Sequence, residues 1–182
     1  MTIIIIGSEG NIGRRLRPAF PDSIGIDRVA GADIVSELSA LDYDAPAVKA
    51  AFEKADGVIH VATSPNVDAP DAVHFDGVVG TARLLEACNR FGIRRVVIPS
   101  SDWADPQTRW ATQPANTYGR SKAVMEAMAA MFNQTPGRHC VALRIGWVAP
   151  DKATADAAPV WLRANYWDTE KLVLQMQAAL GE

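Results

Sequence analysis

The chain has 182 residues, of which 48% are hydrophobic and 21% are charged, and its formal net charge is -3. These values suggest one domain with its own core. They offer no basic surface for nucleic acid, and the apolar run at residues 3–6 is far too short to span a membrane.

Short apolar runs alternate with stretches of helical periodicity. The expected strands cover residues 2–6, 23–26, 32–35, 57–62, 95–100 and 140–145, and the expected helices cover 45–54, 78–91, 121–132 and 169–180. This alternation predicts an α/β fold, a doubly wound parallel sheet with helices on both faces. Loops at 64–70, 102–114 and 150–159 follow the last three strands, so they are expected at the carboxyl edge, where open α/β sheets bind ligands.

The chain start and the cysteines indicate the compartment. No basic region followed by an apolar segment opens the chain, so no signal peptide is expected. Cys88 and Cys140 lack a CxxC spacing and lie in apolar surroundings, which favours buried thiols over a disulfide or a metal site. The cytoplasm is the expected location. Without ligand spacing, His60 and His74 are expected to be structural.

The first strand leads directly into a glycine loop, GSEGNIGRRL, with a GxxGxxG spacing. Such a loop lets the chain turn sharply, lets a pyrophosphate approach the backbone, and opens a helix whose free N–H groups face the phosphate. The expected contacts of a dinucleotide here are Gly7, Gly10, Asn11, Ile12 and Gly13.

An acidic residue about 20 positions further on completes this motif. Asp27 lies 20 residues after Gly7, and a carboxylate there accepts hydrogen bonds from the ribose hydroxyls and repels a 2′-phosphate. NAD is therefore expected rather than NADP, although Arg28 and Arg14 leave NADP open. Asp42 is a second candidate for the adenine end, with an ordinary surface aspartate as the alternative. Ala62, at the end of the fourth strand, is a further expected cofactor contact.

Tyr118 and Lys122 are four residues apart in NTYGRSKAVMEAM, which places them on one face at the start of a helix. A lysine ammonium beside the phenol is expected to lower the tyrosine pKa toward that of a general base, and it can also hold the nicotinamide ribose. Ser100 and Ser101 follow the fifth strand, where one hydroxyl can bond the substrate oxygen. The alternative is an ordinary pair on a surface helix.

In chain order, the segments GSEGNIG, HVAT, GTARLLEAC, VVIPSS, YGRSK and LRIG resemble the motifs of the extended short-chain dehydrogenase/reductases, the NAD-dependent epimerase/dehydratase superfamily. The tail PVWLRANYWDTEKLVLQMQAAL resembles the segment that closes uronate dehydrogenase-like members. The resemblance covers nearly the whole chain. It implies a Rossmann core over 1–146, a short substrate region of the same domain over 147–182, and a triad of Ser101, Tyr118 and Lys122.

The resemblance also exposes departures near the reacting groups. Gly77 stands where the family carries an asparagine of the proton relay, and a water or the neighbouring Asp76 could substitute. Asp102 and Trp147 stand where uronate dehydrogenases carry asparagine and serine. The expected substrate contacts are Ser64, Ser101, Asp102 and Trp147.

Asp156 occupies the position of an arginine that would clamp a substrate carboxylate, which argues against a plain hexuronate. Lys152 or Arg163 could take over that role. Only 36 residues follow LRIG, which suits a small substrate. The tryptophans near the three loops either line an apolar or sugar-stacking pocket or cap the core and an interface: Trp103, Trp110, Trp147, Trp161 and Trp167.

The leading expectation is an NAD-dependent oxidoreductase that moves a hydride to or from a small hydroxyl or carbonyl substrate resembling a sugar or sugar acid. A redox-neutral epimerase or dehydratase with bound NAD is the alternative with the same chemistry. A non-catalytic dinucleotide sensor is the alternative from another class, because it would explain Gly77. A homo-oligomer through helices 78–91 and 117–132 is expected from the resemblance.

Overall fold

The computed structural model describes residues 1–105, 107 and 116–181. Its strands are β1 (Ile3–Ile6), β2 (Ile24–Asp27), β3 (Ile34–Val35), β4 (Gly57–His60), β5 (Arg95–Ser100) and β6 (His139–Arg144). They form one parallel sheet in the order β3-β2-β1-β4-β5-β6. The order reverses between β1 and β4, and such a reversal opens a crevice at the carboxyl edge. The predicted doubly wound sheet is confirmed.

The helices are α1 (Gly13–Leu16), α2 (Pro46–Lys54), α3 (Asp71–Phe91), α4 (Thr117–Phe132), α5 (Lys152–Ala157), α6 (Val160–Arg163) and α7 (Thr169–Leu180). Single 3-10 turns lie at Arg17–Ala19, Leu38–Ala40 and Asp102–Ala104. None of the helices in the described ranges is long and apolar enough to cross a bilayer.

Both faces of the sheet are covered, because the side chains of β1 alternate between two cores. Ile4 and Ile6 pack into the cluster of α2, α3 and α4, with Phe52 and Leu84 among its buried members. Ile3 and Ile5 face the opposite side, where they pack in a cluster with Leu172 of α7. The helix that closes segment 147–182 therefore packs directly on the sheet.

Capping explains why two helices differ from the periodic pattern. α4 begins at Thr117 rather than at residue 121, because the Asn116 side chain accepts the N–H of Gly119 at 2.8 Å. The expected loop at 150–159 contains α5, because Asp151 accepts the N–H of Thr154 at 2.7 Å. The start of α4 places two of the predicted catalytic side chains on its first turns.

Other elements differ in length. α3 begins at Asp71, directly after Pro70, rather than at residue 78. β4 ends at His60 rather than at residue 62, because the N–H of Ala62 turns to the Nδ1 of His60. α1 is a four-residue helix followed by a 3-10 turn at Arg17–Ala19 that contains proline, which has no N–H to continue an α-helical ladder.

Candidate active site

The glycine loop leaves β1 and closes tightly. Gly7 has a φ of +88°, a left-handed conformation that favours glycine, and its N–H donates to the carbonyl of Ile26 at 2.7 Å. A Cβ on Gly7 would lie 2.8 Å from the backbone N of Ala62, and a Cβ on Gly13 would overlap the carbonyl oxygen of Gly7. Close packing against the chain that follows β4 leaves no room for a side chain at Gly7, and the tight fold of the loop on itself leaves none at Gly13.

One cavity of about 730 Å³ is lined by the glycine loop and by the first turns of α4. Its lining includes all five predicted loop residues: Gly7, Gly10, Asn11, Ile12 and Gly13. Within the described residues, the N–H groups of Asn11, Ile12 and Gly13 have no hydrogen-bond acceptor. Free backbone donors in such a loop suit phosphate oxygens, so these residues fit the predicted dinucleotide.

Side chains next to the loop tie it to the segment after β6. Asn11 donates from Nδ2 to the carbonyl of Val148 at 2.9 Å. Arg15 donates from Nη2 to the carbonyls of Ala149 and Pro150 at 2.6 and 2.8 Å. These bonds hold two walls of the cavity, the glycine loop and residues 146–150, in a fixed relation.

The acidic candidates lie outside the cavity lining. Asp27, at the end of β2, accepts the N–H of Glu9 at 2.9 Å, so it positions the glycine loop from the side. The exposed Asp42 accepts the N–H of Asp44 at 2.9 Å in a turn, and the structure does not bring it to the loop. The two basic residues that left NADP open face carboxylates, since Arg14 lies 3.5 Å from Glu9 and Arg28 lies 3.6 Å from Glu37.

The predicted catalytic side chains meet at the other end of the cavity. Tyr118 and Ser101 share a side-chain hydrogen bond, and Lys122 places its Nζ 5.4 Å from the centroid of the Tyr118 ring. All three line the cavity. Lys122 is only 3% exposed and donates from Nζ to the Oγ1 of Thr63 at 2.8 Å. The spacing of four in the sequence thus produces a shared face, as predicted.

The protonation of the pair differs from the expectation. Burial raises the pKa of Tyr118 above its ordinary 10.0, and the hydrogen bond with Ser101 opposes that rise. Lys122 does not lower this pKa as predicted, because its Nζ bonds to Thr63 rather than to the phenol. Burial lowers the pKa of Lys122 itself to about 8 from an ordinary 10.5. The buried lysine therefore loses its proton more readily than an exposed lysine does.

The two serines after β5 have separate partners. Ser100 donates to the Oε1 of Glu126 at 2.7 Å, and the same carboxylate accepts from Nε and Nη2 of Arg144 at 2.7 and 3.0 Å. The Arg144 hydrogen bonds, and secondarily the Ser100 bond, lower the pKa of Glu126. Both serines line the cavity, but the Ser100 hydroxyl is held by Glu126, whereas Ser101 bonds to Tyr118.

The two predicted structural histidines are buried next to the site and do not line the cavity. His60 accepts the N–H of Ala62 on Nδ1, so its Nε2 carries the proton toward the Oγ1 of Thr81 at 3.1 Å, and Thr81 donates to the carbonyl of Gly77 at 2.7 Å. Burial, with the charge of Lys122, lowers the pKa of His60 to about 3. The buried His74 packs edge-on against the Tyr118 ring at 5.6 Å between centroids.

The predicted substrate contacts Ser64, Asp102 and Trp147 all line the cavity, as do Trp103 and Trp161. Trp147 is held by a bridge to Tyr166, and their rings meet edge-on with centroids 5.9 Å apart. Trp167 is not part of the lining, and Trp110 falls outside the described residues. The tryptophans were expected either to line a pocket or to cap the core and an interface. The positions of Trp103, Trp147 and Trp161 fit the pocket.

Neither Lys152 nor Arg163 takes the place of the clamping arginine that Asp156 replaces. Asp156 is exposed on α5, and its carboxylate bonds to Lys152 Nζ at 3.0 Å. Arg163 donates to the backbone carbonyl of Asp156 at 3.1 Å. None of the three lines the cavity, because the cap at Asp151 turns this segment into a helix.

Thr63, which lines the cavity and bonds to Lys122, is a site residue that the sequence did not reveal.

No cluster of three or more His, Cys, Asp or Glu side chains within the described ranges could hold a metal ion.

Comparison with known proteins places the chain in a family. The model of the NAD dependent epimerase/dehydratase family matches residues 3–155. The chain is 30% identical over 172 residues to the L-arabinose 1-dehydrogenase (NAD(P)(+)) of Haloferax volcanii, covering 80% of the chain and 66% of that relative. It is 25% identical over 177 residues to the uronate dehydrogenase of Pseudomonas syringae pv. tomato, covering 88% and 64%. The UDP-glucose 4-epimerase of Lacticaseibacillus casei is 30% identical over 174 residues, covering 79% and 50%.

Solved structures share the fold. A mutated uronate dehydrogenase superposes with a TM-score of 0.77 at 24% identity, covering 98% of this chain and 68% of that one. The glucuronic acid dehydrogenase from Chromohalobacter salexigens gives 0.78 at 21% identity, covering 98% and 71%. The chain spans one half to two thirds of the length of these curated relatives. It belongs to the NAD-dependent epimerase/dehydratase family, which confirms the resemblance drawn from its motifs.

Proposed function

We propose that the chain is an NAD-dependent oxidoreductase that moves a hydride between a nicotinamide ring and a small sugar-like hydroxyl or carbonyl substrate. One observation carries this proposal. Ser101 and Tyr118, joined by a hydrogen bond, line the same cavity as the buried Lys122 and the free N–H groups of the glycine loop. A dinucleotide bound along this cavity would lie between its phosphate donors and a proton-transfer group.

Each side chain has a proposed role. Tyr118 exchanges a proton with the substrate oxygen as general acid or base. Ser101 bonds to the phenol and orients that substrate oxygen. Lys122 supplies positive charge beside the tyrosine ring and a donor for the nicotinamide ribose. The bound nicotinamide supplies the hydride donor or acceptor, and the protein supplies position and proton transfer.

NAD is the preferred cofactor because Asp27 lies beside the glycine loop and Arg14 and Arg28 face carboxylates. Neutral sugars are the preferred substrates. Of the described residues that line the cavity, the charged ones are Lys122 and Asp102, so an anionic substrate would find no arginine clamp there. The arabinose dehydrogenase among the relatives is consistent with this choice.

The test is a screen of neutral aldoses, sugar acids and small alcohols, with reduced cofactor followed by absorbance under NAD and NADP in parallel. We expect turnover with NAD, and Tyr118→Phe should lower kcat by about 100-fold or more, the usual contribution of a general acid or base. Tyr43→Phe is the matched control, because Tyr43 is buried in the core beside Phe52 and does not line the cavity. Equal turnover by wild type and Tyr118→Phe would refute the catalytic assignment.

The same assay separates the alternatives. An epimerase is favoured by the 30% identity to the UDP-glucose 4-epimerase, and it would retain NAD through purification and release no reduced cofactor. A dinucleotide sensor would bind NAD without turning over any sugar. Gly77 in place of the family asparagine favours the sensor, whereas the intact Tyr118–Lys122 pair favours an enzyme.

We also propose a homo-oligomer that pairs α3 and α4 with a second copy. Phe75 and Val79 on α3 are 63% and 51% exposed, and Val124 and Met131 on α4 are 45% and 70% exposed. Phe75→Glu with Met131→Glu should convert a dimer to a monomer in sedimentation velocity. Leu174→Glu, on α7 and 60% exposed, is the matched control and should change nothing. A monomeric wild type would overturn the proposal.

The proposed compartment is the cytoplasm, a reducing environment in which cysteines remain thiols. Cys88 and Cys140 are both free and buried, which is consistent with it.

A further inference from the structure

Lys122 has an unusually sparse set of polar partners for a buried cation. Its Nζ donates to Thr63 Oγ1 at 2.8 Å and otherwise contacts the sulfur of Met125 at 3.9 Å. Across the described residues no carboxylate lies within ion-pair distance of it. Among the described residues, the Thr63 hydroxyl is therefore the oxygen that accepts a hydrogen bond from this ammonium.

We propose that Thr63 is a positioning residue that fixes the Lys122 ammonium, in its charged form, against the Tyr118 ring. This inference rests on the proposed function for its catalytic consequence, while its effect on Lys122 stands on the contact alone. An ammonium with an oxygen acceptor is stabilised, so loss of the hydroxyl favours the neutral amine.

The Thr63 side chain also fills the space beside Gly77, where the family resemblance expects an asparagine. A Cβ on Gly77 would meet Thr63 Cγ2 at 3.6 Å and Met125 Cε at 3.7 Å. These are the two side chains that contact Lys122 Nζ. These are ordinary contact distances, so a polar side chain at residue 77 would extend past Thr63 toward Lys122, and this chain instead supplies the oxygen from residue 63.

Few titratable groups face Lys122. His60 from β4 is neutral, because burial lowers its pKa to about 3. Tyr118 lies on the same helix, and His74 from α3 contacts the Tyr118 ring rather than the lysine. Glu126, one turn further along α4, is held by Arg144. The hydrogen bond from Lys122 to the Thr63 hydroxyl can thus be removed by one substitution without changing another charged group.

The direct test follows the titration of Lys122 by NMR of lysine side-chain carbons in the whole chain without added ligand. Lys122 is one of five lysines, and Lys122→Met identifies its resonance by loss. Thr63→Val keeps the shape and removes the hydroxyl, so it should lower the pKa of Lys122 by about one pH unit. Thr63→Ser keeps the hydroxyl and should titrate like wild type. The inference would be overturned if Lys122 titrated alike in Thr63→Val and wild type. It would also be overturned if the pKa of Lys122 fell equally in Thr63→Val and Thr63→Ser.

Kinetics supply the second readout, on a substrate found in the screen. Thr63→Val should lower kcat about tenfold with little change in KM. Thr63→Ser should restore kcat. Wild-type turnover that depends on Tyr118 but not on Thr63 would refute the inference and leave the proposed function intact. If no sugar is turned over, the proposed function fails while the NMR titration still decides on Thr63.

A double substitution tests the competition for space. Gly77→Asn alone should lower kcat, because the longer side chain meets Thr63. In a Thr63→Ala background, which lowers kcat by removing the hydroxyl, Gly77→Asn should raise it by supplying a new oxygen in the vacated space. If Gly77→Asn changed kcat equally in the wild-type and Thr63→Ala backgrounds, residues 77 and 63 would not act on the same region.

Discussion

Replacing the buried lysine should make the protein more stable while removing its chemistry. Lys122 is 3% exposed, and burial lowers its pKa from 10.5 to about 8. At neutral pH the folded protein carries a charge there that burial disfavours by about 3 kcal/mol, at about 1.4 kcal/mol per pH unit. Lys122→Met removes that charge from a site that an unbranched apolar side chain can fill.

The gain is smaller than the full cost of the charge. Loss of the hydrogen bond to Thr63 offsets about 1 kcal/mol, which leaves a net increase of about 2 kcal/mol in the free energy of unfolding. For a chain of this length, that corresponds to a rise in Tm of about 4–8 °C.

The pH dependence separates this cause from ordinary repacking. The folded pKa lies below the unfolded one, so between about 8 and 10.5 the unfolded chain holds more protons at this position and wild-type stability rises relative to the variant. Urea unfolding of both proteins should therefore show the advantage of Lys122→Met in full below that window and little of it above. Cysteine and tyrosine ionisation is common to both proteins and cancels in the difference.

Lys54→Met, at an exposed lysine of α2, is the control and should stay within about 0.5 kcal/mol of wild type. A Lys122→Met protein that is less stable than wild type at neutral pH would refute the reasoning. A difference that does not change with pH would do the same.

Three further predictions follow from the contacts at the site. Ser101→Ala should lower kcat/KM about 100-fold, whereas Ser100→Ala should cost less than about threefold because its hydroxyl is bonded to Glu126; similar losses in steady-state assays would contradict this assignment. Asp27→Asn should reduce the ratio of kcat/KM for NAD over NADP by about tenfold, and an unchanged ratio would remove Asp27 from cofactor selection. Cys88 and Cys140, whose pKa values burial raises, in Cys140 to about 12, should resist alkylation in the native protein and both react after unfolding, as mass spectrometry can show.

The features that the sequence predicted are those set by local geometry. Ile3–Ile6 is buried on both faces, and so it reads as a continuous apolar run. The glycines of the loop are required by close backbone approach, which leaves a visible spacing. Tyr118 and Lys122 share a face because any helix places residues four apart on one side.

The features that the sequence did not reveal depend on contacts between distant segments. Thr63 meets Lys122 across 59 residues, and only because β4 stops at His60 and the chain then turns past α4. Ser100 meets Glu126 across 26 residues. The pKa of Tyr118 rises because folding buries the phenol, which no spacing encodes. Such contacts carry no periodic signal, so only the assembled fold shows them.

Several polar groups with few or no protein partners lie along one cavity. The N–H groups of Asn11, Ile12 and Gly13 have no acceptor in the described structure, Tyr118 is a buried phenol with a raised pKa, and Lys122 is a buried cation with one oxygen partner. Away from the cavity, the buried Tyr43 Oη and His74 Nε2 also lack a hydrogen-bond partner among the described residues, whereas charged groups such as Arg144 are paired, here in a bidentate contact with Glu126. Burying unsatisfied polar groups is unfavourable, so their concentration along one cavity needs a cause other than stability. A ligand with phosphate oxygens at one end and a reacting oxygen at the other supplies that cause, because it would complete the partners of all three sets of groups.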